Sequence, residues 1–287
     1  MRRCFFVTDL HGHVDRYEKL LAAIAAERPA AVFVGGDLLP HGITRIALQR
    51  APVDDFLADF ILPRFAALQT DMGGAWPQIF LILGNDDPRC DEAEFLAAAK
   101  RGLWQYVHGR KTACGPYPVY GYAHVPPSPF QLKDWERFDV SRYVDPGCVS
   151  PEEGVRTVPV SDSEVRFGTI ARDLQALIGD DPLAEAILLL HTPPHDTPLD
   201  RAALDGHLVD GVPLDVHVGS IAVRRFIEER QPLLTLHGHV HESAHLTGAW
   251  RTQIGRTHAF NAAHDGPELA LVRFDPADLE PATRELI

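Results

Sequence analysis

The chain has 287 residues, 45% of them hydrophobic, and carries 27 Lys and Arg against 40 Asp and Glu, a formal net charge of −13. That length suits one large α/β domain or two small ones and is ample for a sizeable core. The acidic balance repels polyphosphate backbones and so argues against general nucleic-acid binding, and the longest apolar runs, such as 186–190, are too short to span a bilayer.

The chain opens on a basic start, but Asp9 and His11 end its apolar run at once, so no signal peptide is expected. Residues 4–8 read as a buried strand, followed by Asp9-Leu10-His11-Gly12-His13. Tyr17, Leu20, Leu21 and Ile24 then recur at helical spacing until Pro29. Residues 31–34 form a second strand ending in Gly35-Gly36-Asp37. A helical stretch carries Phe56, Leu57, Phe60, Ile61, Phe65 and Leu68, with an interruption expected at Pro63. Residues 79–83 form a third strand ending in Gly84-Asn85-Asp86-Asp87, and residues 94–101 a helix. Strand–helix–strand–helix–strand predicts a parallel sheet, in which ligands gather outside the carboxyl ends of the strands.

From about 104 to 163 the pattern is long and irregular, with a strand expected over 117–123 and a Pro-rich run after it. Its aromatics argue for an ordered, lid-like insertion or pocket wall. A helix over 169–178 follows, then a buried strand at 186–190 that runs into His191-Thr192-Pro193-Pro194-His195. A helix over 221–230 leads to a strand at 233–236 and to His237-Gly238-His239-Val240-His241. Gly238 is expected to open a turn that frees His239 and His241 to aim at a common point, with His237 a structural strand-end residue. Strands at 257–261 and 269–274 are expected to close the chain as an antiparallel tail. No linker or repeat divides the chain, so residues 1–287 read as one domain. Cys4, Cys90, Cys114 and Cys148 form no C-x-x-C pair, and reduced thiols in a cytoplasmic protein are expected.

The residues at strand ends are Asp9, His11, Asp37, Asn85, His191, His239 and His241. These are oxygen and imidazole donors without a thiolate, which suits Mn, Fe, Ni, Co or Zn. Seven donors exceed one tetrahedral ion but match two ions sharing a carboxylate, whose two oxygens and full charge let it bridge.

Taken in order, D-x-H, G-D, G-N-x-D, a lone His after a strand and G-H-x-H resemble the calcineurin-like metallophosphoesterases, among them bacterial phosphodiesterase-type members. Here the motifs are Asp9-Leu10-His11, Gly36-Asp37, Gly84-Asn85-Asp86-Asp87, His191 and Gly238-His239-Val240-His241. The resemblance implies the metallo-dependent phosphatase fold, an α/β four-layer αββα sandwich of two mixed sheets flanked by helices. It implies two divalent metal ions, Mn favoured. Asp9, His11 and His241 would hold one; Asn85, His191 and His239 the other; and Asp37 would bridge them. The reaction implied is in-line attack on phosphorus by a metal-bridging hydroxide.

One departure stands out. Where many members of the family carry His after the Asn, this chain has Asp86. Either Asp86 acts as a perturbed acid, or a nearby histidine substitutes (His13, His41 or His195), or the leaving group needs little help. Members lacking that His are often phosphodiesterases, so a small phosphodiester is the favoured substrate and a phosphomonoester the alternative, with a catalytically silent scaffold a distant third. Arg89, His195 and Tyr122 are the expected substrate contacts, and Tyr120, Tyr122 and Trp135 the expected pocket wall.

Overall fold

The computed structural model describes residues 3–41 and 55–287. Met1 and Arg2 of the basic start lie outside them. In chain order the strands are β1 Cys4–Val7, β2 Ala31–Gly35, β3 Gln78–Ile82, β4 Gln105–Tyr106, β5 Arg110–Cys114, β6 Tyr117–Tyr122 and β7 Ile187–Leu190. They continue as β8 Leu208–Val209, β9 Val212–Pro213, β10 Leu234–His237, β11 Arg251–Ile254, β12 Thr257–Asn261, β13 Ala270–Asp275 and β14 Asp278–Leu286. The α-helices are α1 Val14–Glu27, α2 Leu62–Met72, α3 Glu92–Lys100, α4 Asp162–Phe167, α5 Ile170–Ile178, α6 Ile221–Arg230 and α7 Ser243–Thr247.

Two six-stranded mixed sheets, β14-β13-β1-β2-β3-β4 and β11-β12-β10-β7-β6-β5, stack face to face with helices outside, the metallo-dependent phosphatase sandwich. In the first sheet β1, β2, β3 and β4 are parallel; in the second β6, β7, β10 and β12 are parallel. Both runs deliver their carboxyl ends to one rim, where the polar clusters lie.

Side-chain alternation explains the layers. On β7, Ile187 and Leu189 enter the large core between the sheets, alongside Phe6, Phe33, Phe80, Leu234, Leu236 and Phe260. Leu188 and Leu190 face the other way and pack with Ile170, Leu174, Ile178, Val223 and Ile227 of α5 and α6. Burying a side chain of this size contributes about 1.5–3 kcal/mol, so the strands are held on both faces, as continuous apolar runs predict.

Three expectations change in the structure. The interruption at Pro63 appears as a change of helix type: a π-helical segment, Phe56–Ile61, precedes α2. Pro63 has no N–H to donate, and its ring crowds the carbonyl four residues back, which the wider turn accommodates. The tail is not a pair of neighbouring antiparallel strands. β12 joins the second sheet, parallel to β10 and antiparallel to β11, whereas β13 crosses to the first sheet between β1 and β14. Finally, β4, β5 and β14 are strands that composition conceals. β5 and β14 are edge strands with mostly exposed residues, and β14 carries Pro281, which edges tolerate. Among the described residues no helix is long and apolar enough to cross a membrane.

Candidate metal centre

The loops that leave the strands are laced together before any side chain is considered. Asp9 N–H donates to Gly36 O (2.9 Å), His11 N–H to Asp37 O (2.8 Å) and Gly238 N–H to His191 O (2.9 Å). This lacing imposes unusual backbone: Asp9, His11, Asp37 and His239 have φ of 55°, 46°, 52° and 71°. A non-glycine residue in the left-handed region costs on the order of 1–3 kcal/mol and persists only where its surroundings over-determine it. Four such residues at one rim mark the place where the fold tolerates strain.

The side chains converge in two groups that share a carboxylate. Asp9, His11, Asp37 and His241 have ligand-type atoms within 4.8 Å of one another, and so do Asp37, His191 and His239. In the first group His241 Nε2 lies 3.0 Å from Asp9 Oδ1 and 3.1 Å from His11 Nε2. In the second, His191 Nε2 lies 3.1 Å from Asn85 Oδ1 and 3.2 Å from Asp37 Oδ2. Asp37 Oδ2 is also 3.8 Å from His11 Nε2, so one oxygen faces both groups. The other, Oδ1, accepts the Asp86 N–H at 2.8 Å. A carboxylate that bridges with two oxygens could give each group its own; the fold instead turns Oδ2 toward both and uses Oδ1 as an anchor.

Electrostatics fit a cationic guest. Asp9 and Asp37 are buried with almost no exposure. Burial pushes both carboxyls up, but His241 beside Asp9 and His191 beside Asp37 outweigh it and hold both below the ordinary range. The imidazoles respond in turn. Burial pushes His11 down, yet Asp86, Asp37 and Asp9 bring it up to about 9, and Asp37 does the same for His191. In the chain by itself, protons on these rings offset the buried anions; divalent cations would take the place of those protons. His239, by contrast, is pushed down to about 3 by burial and by His191, which keeps its ring neutral. His191 Nδ1 lies 2.8 Å from Gly35 O, so it donates there and leaves Nε2 facing the cluster, where a cation would replace the Nε2 proton, the arrangement that orients a metal-binding imidazole. The oxygen and imidazole donors therefore fit two dications of the hard-to-borderline kind.

Two glycines are required by close approach. A Cβ on Gly84 would overlap Asp37 Oδ1 and stand 2.5 Å from Asp37 N and 2.6 Å from His191 Nε2. A Cβ on Gly238 would overlap Thr8 Oγ1 and Asp9 Oδ2. Gly238 does not supply the left-handed turn; His239 does.

The other residues singled out in the sequence fall in different places. Asp86 contacts His41 Nδ1 through Oδ2, which is also 3.4 Å from His11 Nδ1. His13 is the exposed N-cap residue of α1, outside both groups. Arg89 stacks its guanidinium over Trp135 (5.2 Å) and reaches Glu92 (3.5 Å). His195 pairs with Asp215 (3.2 Å) and lies against His217. Tyr122 is turned onto the outer face of its sheet, where its hydroxyl donates to Asp173 of α5 (2.6 Å); Tyr120 does likewise to Asp181. The cluster therefore gathers Asp86 and His41 at its edge, but not His195, Tyr120 or Tyr122. His237 is fully buried between Thr192 O and Thr235 Oγ1, a structural residue.

Asp87 gains a role that sequence reasoning misses. Its buried carboxylate accepts the N–H groups of Leu38, Leu39 and Gly84 at 2.8, 2.8 and 2.9 Å, bracing the loop after β2 against the loop after β3. The second acid of an Asp-Asp pair after a strand is the sequence signal for such a brace.

A family model described as calcineurin-like phosphoesterase matches residues 2–243. The chain is similar in fold to TT1561 of Thermus thermophilus, with a TM-score of 0.55 and 18% identity over 99% of this chain and 98% of that one. It is also similar to a dimetal phosphatase from Danio rerio, with a TM-score of 0.51 and 12% identity over 94% and 91% of the two chains. No curated protein matches the chain. The matched span takes in every strand-end cluster from Asp9 to His241, and the chain belongs to the calcineurin-like phosphoesterase family.

Proposed function

We propose that this protein hydrolyses small phosphoesters, diesters ahead of monoesters, with two divalent cations, manganese first among them. In this reading Asp9, His11 and His241 hold one ion, Asn85, His191 and His239 the other, and Asp37 is common to both. The observation that carries it is the single oxygen, Asp37 Oδ2, that faces both groups. When bound, the cations would supply Lewis acidity, an activated water and charge to offset the phosphoryl oxygens. The chain's own work is to hold seven donors in place, fix their tautomers and exclude bulk water from Asp9 and Asp37.

Two features of the rim bear on substrate and proton transfer. Asp86 adds a carboxylate where many relatives have an imidazole, and a negative charge there opposes a dianionic monoester more than a monoanionic diester. The second feature, His41, adds to the proposal a proton donor for the leaving group. Its Nδ1 is engaged by Asp86 and its side chain is 67% exposed, which leaves Nε2 open to a leaving-group oxygen. Imidazole is the side chain best suited to move a proton near neutral pH. Asp86 then orients the donor and is not itself the acid.

After Mn reconstitution, bis(p-nitrophenyl) phosphate should be turned over with a kcat/KM at least about tenfold above that of p-nitrophenyl phosphate, a difference of about 1.4 kcal/mol. A strong preference for the monoester would overturn the diester reading. His41→Ala should slow hydrolysis of an alkyl ester about 100-fold, the usual weight of general acid catalysis, and hardly affect a nitrophenyl ester, which leaves unaided. Equal losses on both esters would count against His41 as the donor.

A further inference from the structure

Arg16 is the one cation of α1 that is buried, with 6% exposure. It occupies the core-facing stripe of the helix, four residues before Leu20 and eight before Ile24. Its guanidinium meets backbone carbonyls only: Nη1 donates to Asp9 O (2.5 Å), and Nη2 to Gly266 O (2.5 Å) and His264 O (3.4 Å). Among the described residues no carboxylate pairs with it within 4 Å. The charges of Asp9 and Glu268 favour its charged form from farther away, against a burial that pushes it down. Burying a guanidinium carries a substantial desolvation cost, so the carbonyls it holds need an explanation.

Those carbonyls lead to one half of the metal centre. Asp9 has a left-handed backbone, and its carboxylate oxygens accept the His239 N–H (3.1 and 3.2 Å) while Oδ1 faces His241 Nε2. With its carbonyl gripped from behind by Arg16, Asp9 cannot relax to an ordinary φ without losing a charge-assisted hydrogen bond. The loop at the other end of Arg16 reaches the same half by a second route. Asp265 Oδ2 lies 3.2 Å from Nδ1 of His245, on the short helix that begins two residues after His241. Arg284 of β14 anchors the loop further by donating to Ala263 O (2.8 Å). All of these tail residues lie beyond the span that the family model matches.

We infer that Arg16 is a positioning residue for Asp9, and that through it the C-terminal loop 264–266 braces the Asp9–His11–His241 half of the centre directly, touching the Asn85–His191–His239 half only through the hold of the Asp9 carboxylate on the His239 N–H. The inference rests on the two-ion reading of the centre proposed for its function. Its signature is one-sided. An arginine that only stapled the tail to the body would, when removed, lower the melting temperature and leave both ion affinities alone or weaken them equally.

The test is titration of metal-free protein with Co²⁺, followed by calorimetry and by the visible d–d bands, for wild type, Arg16→Met and Arg16→Lys. Wild type should bind two ions. Arg16→Met should bind one ion as tightly as wild type and the other about 10–100-fold more weakly, with a changed visible spectrum for the weakened ion, the usual consequence of losing a support behind a metal ligand. Arg16→Lys keeps the charge but cannot reach both loops, and should weaken the same ion about tenfold; it decides the matter if the methionine variant does not fold. Two ions in wild type with unchanged or equally reduced affinities in the variants would overturn the role of Arg16 alone. One ion in wild type would overturn the two-ion reading and this inference with it.

Discussion

Asp37→Asn should abolish metal-dependent turnover, lowering kcat/KM of the Mn-reconstituted protein by at least about 10³-fold, or about 4 kcal/mol. The size follows from the geometry, because neither orientation of the amide is acceptable. If the amide nitrogen takes the position of Oδ2, two N–H groups point at the space between His11 and His191, where a lone pair is required. If the amide flips, those N–H groups meet the Asp86 N–H, which in the wild type donates to Oδ1 at 2.8 Å, and the anchor is lost. In both cases the charge shared by the two groups disappears, and with it the main attraction that keeps His191 raised to about 9 and part of the attraction, led by Asp86, that raises His11 in the ion-free chain. The measurement is steady-state kinetics beside metal content by elemental analysis. Full activity at full metal content would show that the shared carboxylate has been misidentified.

Gly84→Ala should have the second-largest effect, because it strikes both groups at once. The added methyl has no free direction: it meets Asp37 through backbone N and Oδ1 and His191 through Nε2, and two of those three atoms belong to groups that face the ions in the proposed centre. Overpacking of this kind typically costs about 1–3 kcal/mol of stability. Loss of ion binding adds to it, since an ion at 100 times its dissociation constant stabilises the folded chain by about 2.7 kcal/mol. Wild type should therefore gain melting temperature on addition of Mn²⁺, and Gly84→Ala should melt lower and gain nothing. An undiminished Mn²⁺ response in the variant would mean that the loops after β2 and β3 can separate without dismantling the site, and that their close packing is not what holds the donors together.

The lesson of these two positions extends to the rest of the molecule. Buried strands could be read because short apolar runs are a local signal: those of β1, β2 and β3 end at Gly or Asp, that of β7 lies between Glu185 and His191, and that of β10 survives the interruption by Thr235. β5 and β14 could not, because edge strands need only one neighbour and little apolar surface, so their composition resembles that of a loop. The destination of β13 was equally hidden: nothing in residues 269–274 states which of two sheets has an open edge.

By itself, the amino-acid sequence determined which donor types stand at which strand ends, in what order, and which family they belong to; all of that is short-range information carried by spacing and by the period of the strands. Only the tertiary structure decided that one oxygen of Asp37 serves both groups, that Tyr122 turns to α5 and away from the rim, that His41 meets Asp86, and that a buried Arg16 grips Asp9 from behind. The physical reason is that most of these contacts join residues far apart in the chain, 45 positions for His41 and Asp86 and 51 for Tyr122 and Asp173, and that Arg16, only 7 positions from Asp9, is held there by Gly266, 250 positions away; such distances are set by how the two sheets stack and not by any neighbour in sequence.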